Sequence, residues 1–225
     1  MVGSRAADGL GHGGGASTPR AQARATRALS APAAGDTLAS MSAPRPVGSA
    51  TGPETDTPPR GFIIDVPTLA DVPALARVHV RGWEVAYGHV LAGEEWFGRP
   101  AIERRIAHWT RWLTPGTPEA DEGSFQVGRD GDGTPVGLAA SWAPRDVEPV
   151  RERELSVLYV EQDWHGTGLA KALVEALIGE EPASLWVAED NARAQRFYAK
   201  LGFAADGARH VDERWPELPD IRMVR

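Results

Sequence analysis

The residues best suited to chemistry surround a glycine turn. The apolar run at 155–160 leads into His165-Gly166-Thr167-Gly168-Leu169-Ala170, where a helical pattern begins. The first turn of a helix has N–H groups without intrahelical partners and carries partial positive charge. Small residues there let an anion approach the backbone closely. This strand–turn–helix predicts a site for a phosphorylated ligand. A Walker loop would need Lys-Ser or Lys-Thr after its last glycine, and neither is present. A dinucleotide fingerprint would need a third glycine in phase, early in a βαβ unit. The other glycine cluster, residues 11–15, has no strand before it and no helix after it, so it reads as a flexible tail. With no cysteine in the chain, disulfides, thiolate nucleophiles and cysteine-based zinc sites are excluded. The six histidines lack metal-ligand spacing, so no metal is expected.

The elements that must position the turn are legible on both sides of it. Residues 1–58 are rich in Ala, Gly, Ser, Pro and Thr without an apolar period, and are expected to be a disordered low-complexity tail, with Met41 as an alternative start. Residues 59–225 are expected to form the folded domain. A strand is predicted at 62–66. Thr68 or Asp71 can cap a helix carrying Val72, Leu75, Ala76, Val78, Val80, Trp83 and Ala86. A second helix is predicted over 94–112, with Trp96, Ile102, Ile106, Trp109 and Leu113 as its apolar stripe and Pro100 interrupting or restarting it. A loop follows, then strands at 124–128 and 136–142 around the hairpin signal Asp130-Gly131-Asp132-Gly133. The strand at 154–160 leads to the turn. Its helix carries Leu169, Leu173, Val174, Leu177 and Ile178, and Gly179 ends it. A strand at 183–187, a helix capped by Asn191 and ended by Gly202, and closing strands near 204–211 and 219–224 complete the chain. The order is β-α-α-β-β-β-α-β-α-β-β, a mixed α/β (α+β) sheet protein.

The whole chain sets bounds. Its 225 residues suit one domain plus a tail, and 42% hydrophobic content supports a core. A net charge of -7 argues against nucleic acid and leans toward cationic partners, or serves solubility alone. No apolar run approaches the ~18–20 residues of a membrane helix, and no signal-peptide core is present, so the reading is cytoplasmic.

The turn resembles (Gln/Arg)-x-x-Gly-x-(Gly/Ala), the acetyl-CoA pyrophosphate loop of the GNAT N-acetyltransferase superfamily, with His165 departing from the usual Gln or Arg. A second element carries the resemblance further. Leu185-Trp186-Val187 followed by Asn191-x-x-Ala194-x-x-Phe197-Tyr198-x-x-x-Gly202-Phe203 is similar to the family's fifth strand and following helix. Trp83 and Tyr87 match a Trp-x-x-x-Tyr first helix found in some members. The resemblance covers residues 61–225.

It implies an acyl-CoA N-acyltransferase fold and acetyl transfer from acetyl-CoA to an amine by direct attack in a ternary complex. The fourth and fifth strands would splay, and the pantetheine arm would lie along Leu158, Tyr159 and Val160 as an added strand. The diphosphate would meet the turn from His165 through Gly166, Thr167, Gly168, Leu169, Ala170 and Lys171, with Asn191 a helix cap, a CoA contact, or both. Tyr198 would be the general acid, since a phenol with an ordinary pKa of about 10 can protonate a departing thiolate; its plainer reading is a core aromatic beside Phe197. Glu154, eleven residues before His165, matches the base of histone-acetylating relatives; it is otherwise a strand-end charge beside Arg151 and Arg153, with water as base. Trp83, Tyr87 and Trp142 would wall the acceptor pocket or pack the core. The acceptor is a small-molecule or peptide amine, with no nucleic acid and no membrane, and a homodimer is possible. The rival readings are a silent acetyl-CoA-binding sensor and an enzyme of longer acyl-CoA.

Overall fold

The computed structural model describes residues 61–144, 146–213 and 215–225. The tail expected at 1–58 and the alternative start at Met41 lie outside them. Seven strands form one sheet: β1 (Ile63–Asp65), β2 (Ser124–Arg129), β3 (Pro135–Trp142), β4 (Glu154–Val160), β5 (Ser184–Ala188), β6 (Ala204–His210) and β7 (Asp220–Val224). Their spatial order is β1-β2-β3-β4-β5-β7-β6. Every pairing is antiparallel except β4 with β5. The helices are α1 (Val72–Tyr87), α2 (Glu94–Phe97), α3 (Arg99–Leu113), α4 (Pro118–Glu122), α5 (Leu169–Ile178) and α6 (Ala192–Lys200).

The sheet divides two cores. On one face, α1 and α3 bury Leu75, Trp83, Tyr87, Trp109 and Trp112 against Val157 and Tyr159 of β4. On the other, α5 and α6 bury Leu169, Leu173 and Tyr198 against Leu155, Leu158 and Val160. All seven residues of β4 are buried, as expected of a strand covered on both faces. Thr68 and Asp71 form a capping box before α1, the Thr68 N–H donating to Asp71 Oδ2 at 2.7 Å. Arg129 grips the same carboxylate with two bonds, of 2.7 and 2.9 Å, tying the end of β2 to the start of α1.

Two sequence expectations need correction. Pro100 does restart the helix, after Gly98, but the buried stripe of α3 is Ala101, Arg105, His108, Trp109 and Trp112. Ile102, Ile106 and Leu113 are only partly buried. The stretch after Pro115 contains the short helix α4, capped by the Thr117 side chain accepting from the Ala120 N–H at 3.2 Å.

Candidate active site

The site begins with the hydrogen-bond phase of β4. The Glu161 N–H donates to the Val136 carbonyl at 2.8 Å. Leu138 lies opposite Tyr159, and Gly137 opposite Val160. Antiparallel pairs alternate between bonded and non-bonded, so Val157, Tyr159 and Glu161 spend their backbone groups on β3. Leu158 and Val160 turn theirs toward β5. Yet β5 meets β4 in register only at Glu154–Ser184, where the Ser184 N–H donates to the Arg153 carbonyl at 2.9 Å. Beyond that point the pair opens. Among the described residues, no backbone acceptor meets the N–H of Leu158 or Val160. Tyr159 differs from its neighbours: its backbone belongs to β3, and only its side chain is left to face a ligand.

The turn lies just beyond the open end. Gly166 and Gly168 have φ of +81° and +91°, a left-handed backbone that side chains disfavour, and a Cβ at either would meet nothing within 4 Å. The Thr167 hydroxyl donates to the Trp164 carbonyl at 2.8 Å, closing the turn. Among the described residues, the N–H groups of Gly166, Gly168, Ala170 and Lys171 have no backbone acceptor. Leu169, fully buried, anchors the helix start over Gly128 and Gly137. The His165 ring is half-buried, with Nε2 3.1 Å from the Val160 carbonyl oxygen. Asn191 caps α6, its Oδ1 accepting from the Ala194 N–H at 3.0 Å.

The expected catalytic residues fall into two groups. Burial raises the pKa of Tyr87 well above 10, and the negative forms of Tyr159, Asp220, Tyr198 and Asp190 add to the rise. Tyr87 and Tyr159 belong to the α1 face and Tyr198 to the α6 face, and Tyr87 feels the charge of both others. Tyr198 has no exposed surface and packs against Phe197 and Phe203 with ring centroids 5.3 and 6.0 Å apart. Glu154 is at the closed end of the strand pair. It is 1% exposed, so it is no solvated strand-end charge. It lies opposite Trp142 and Leu158 lies opposite Ala139, three ladder positions away, about 10 Å. Trp142 lies opposite Glu154 and 4.5 Å from Trp112, at that same closed end.

Sequence reasoning missed several neighbours of the site. Trp96 of α2 stacks on Trp83 at 6.5 Å, and Trp215 from the β6–β7 connection meets Trp96 edge-on at 5.4 Å. Only tertiary structure brings these together. The Arg105 guanidinium lies 5.0 Å from the Trp83 ring centre, and burial lowers its pKa to about 10. His79 is fully buried, 4.6 Å from the Tyr159 ring. Both carried a signal: His79 is in helical phase with Leu75 and Trp83, and Arg105 with Ala101 and Trp109. Among the described residues, no group of His, Asp or Glu is arranged to hold a metal ion.

A sheet opened between two parallel strands, with a turn of bare N–H groups at the opening, defines the acetyltransferase class of folds. The chain belongs to the GNAT family of acetyltransferases, whose family model matches residues 88–203. It is 32% identical over 126 residues to an uncharacterised N-acetyltransferase of Methanocaldococcus jannaschii, covering 52% of this chain and 51% of that one. It is 42% identical over 81 residues to an uncharacterised N-acetyltransferase of Mycobacterium tuberculosis, covering 33% and 52%. The chain thus spans about half the length of these curated relatives. Among solved structures, its fold is similar to that of the PaiA N-acetyltransferase of Thermoplasma acidophilum in complex with coenzyme A, with a TM-score of 0.55 and 17% identity over 73% of this chain and 98% of that one. A ribosomal-protein-alanine N-acetyltransferase of Brucella melitensis shares the fold with a TM-score of 0.54 and 23% identity, over 72% and 98%.

Proposed function

We propose that the protein is a cytoplasmic N-acetyltransferase that moves an acetyl group from acetyl-CoA to a primary amine of a small molecule or peptide, by direct attack in a ternary complex. One observation carries this reading: the open N–H groups of Leu158 and Val160 lead directly to the bare N–H groups of Gly166, Gly168, Ala170 and Lys171. A ligand with an amide-bearing arm and a diphosphate head suits both. Pantetheine would pair with β4, and the diphosphate would sit on the turn. Among the described residues, no helix is long and apolar enough to cross a membrane.

In this reading the chain's residues align the thioester and move two protons. As the amine nitrogen bonds to the acetyl carbon, the C–S bond breaks and Tyr198 gives its phenolic proton to the departing sulfur. The amine proton leaves through water toward Glu154, which shares the α1 face with Tyr159 and Trp142. Trp83, Trp96 and Trp215 form an aromatic wall beside the acceptor.

The test is calorimetric titration of acetyl-CoA into wild type and Gly168→Glu, followed by thiol release with a panel of amines. Wild type should bind and Gly168→Glu should not, since the added carboxylate repels the diphosphate. Tyr198→Phe should retain binding but lose on the order of 10²-fold in kcat. Absence of binding by folded wild type would overturn the reading, and full turnover by Tyr198→Phe would remove the tyrosine from its role.

A further inference from the structure

His165 links the two halves of the site. Its Nε2 is 3.1 Å from the carbonyl oxygen of Val160, one of the β4 groups turned toward the gap. A carbonyl only accepts, so Nε2 carries the hydrogen. In a neutral ring this leaves Nδ1 as an acceptor with a lone pair, an unsuitable neighbour for an anion. The surrounding charges favour that neutral form. Burial lowers the His165 pKa below 6.5, and the Arg193 guanidinium, on the first turn of α6, lowers it further. The Val160 hydrogen bond and Asp163 oppose them. The other charged groups nearby are engaged: Glu161 with Arg81 at 3.0 Å, and Lys171 with Glu175 at 3.2 Å. Arg193 itself makes no ion pair among the described residues, and burial lowers its pKa.

A diphosphate on the turn would reverse this balance. It would offset the repulsion from Arg193 and favour a proton on Nδ1. We propose that His165 is a proton-coupled phosphate ligand: filling of the turn by a diphosphate draws one proton from solvent onto Nδ1, and the resulting imidazolium and Arg193 hold the same anion. No covalent bond changes. The inference rests on the turn being the diphosphate site proposed above. Its sign follows from linkage. The ring titrates at lower pH when free than when bound, so binding takes up protons between the two values. Affinity therefore rises as pH falls through that window, by at most about tenfold per pH unit.

The probe is dephospho-CoA, whose diphosphate does not titrate near neutrality. Titration calorimetry at pH 7 in PIPES and in Tris gives the protons taken up from the difference in heats. Wild type should take up a measurable fraction of one proton, and His165→Gln should bind with none. Pantetheine, lacking phosphate, should cause no uptake in wild type. The His165 ring pKa, followed by NMR in wild type, should rise on adding dephospho-CoA, a reading that needs no variant to fold. Binding without uptake, equal uptake in His165→Gln, or an unmoved His165 pKa would each overturn the proposal. Absence of binding by wild type would instead fail the diphosphate reading and the inference with it.

Discussion

The seat of Leu169 ties the start of α5 to the sheet, and Gly128→Ala tests how rigid that seat is. A Cβ at residue 128 would fall 2.5 Å from Leu169 Cδ1 and 3.3 Å from Cδ2 and Cγ. Carbon atoms need about 3.5–4.0 Å, so the side chain must yield by at least about 1 Å. It has little room to do so. Leu169 is fully buried and also lies over Gly137 of β3. The start of α5 must move instead. Overpacking of this kind costs about 1–3 kcal/mol. Leu169→Ala alone should cost about 2–5 kcal/mol through the cavity it leaves. Together the two changes should partly compensate, because the new methyl enters space the leucine vacated. Urea unfolding of wild type, both single variants and the double variant should give a coupling of about 1–2 kcal/mol. Acetyl-CoA affinity, read by calorimetry, should fall in Gly128→Ala because the bare N–H groups move with the helix. Additive costs within about 0.5 kcal/mol would refute the steric argument. An unchanged affinity in a destabilised Gly128→Ala would refute the link from seat to turn.

Acid should loosen the α1–α3 core. Burial lowers the pKa of His79 well below 6.5 and that of His108 to about 3, with Arg105 and Arg111 adding to the second and His108 to the first. Both histidines therefore stabilise the fold fully above about pH 6.5, and this stability is lost as pH falls toward 3; His79→Leu should flatten the dependence of urea stability on pH over that window. Arg129 pulls the pKa of Asp71 down to about 2, so this pair contributes above pH ~3.8 and fails as pH falls through 2. Asp71→Asn should cost about 1–3 kcal/mol at pH 7, measured by urea unfolding, and about half of that at pH 3. Val160→Pro removes a donor that β3 does not use, whereas Tyr159→Pro removes one that it does. The first should lose acetyl-CoA affinity while keeping its near-ultraviolet circular dichroism, and the second should lose the fold; equal unfolding of both would contradict the assigned strand phase.

Some of this was legible in the residues, and the rest had physical reasons to be hidden. Strand β4, the glycine turn and α5 follow one another in the sequence, so local signals sufficed, and β4 occupies the expected residues 154–160. The helix α6 was equally open, because Asn191 and Gly202 mark its ends. The stripe of α3 is hard to read in the sequence because Arg105 and His108 are polar types on a buried face. Their neighbours Ala101, Trp109 and Trp112 keep the helical period, which holds despite the charge. The helix α4 has a good start signal in Thr117-Pro118-Glu119, but its five residues are too few to show an apolar pattern. The meeting of Trp83, Trp96 and Trp215 joins three distant segments and has no local signal at all.

The least legible feature decides the most about the site. Ala140 lies opposite Val157, but the next residue, Ser141, lies opposite Leu155, so Ser156 is an extra residue in β4. A continuous apolar run conceals such a bulge, since neither face breaks the pattern. Side chains alternate along a strand, so without the extra residue Leu155, Val157 and Tyr159 would share one face, and Glu154 would share the other with Leu158. With it, Leu155 packs with Leu158 against α5 and α6, while Glu154 joins Trp142 on the α1 side. One residue therefore puts a carboxylate on the face where Tyr159 and the aromatic wall stand, and leaves the phase of Leu158 and Val160 unchanged beyond it. The N–H groups of those two residues must be met by water or ligand, since no protein backbone reaches them among the described residues. A strand pair that closes at one end and opens at the other therefore presents two donors along one edge, spaced for the carbonyls of an amide-bearing arm that enters the gap and replaces the water there.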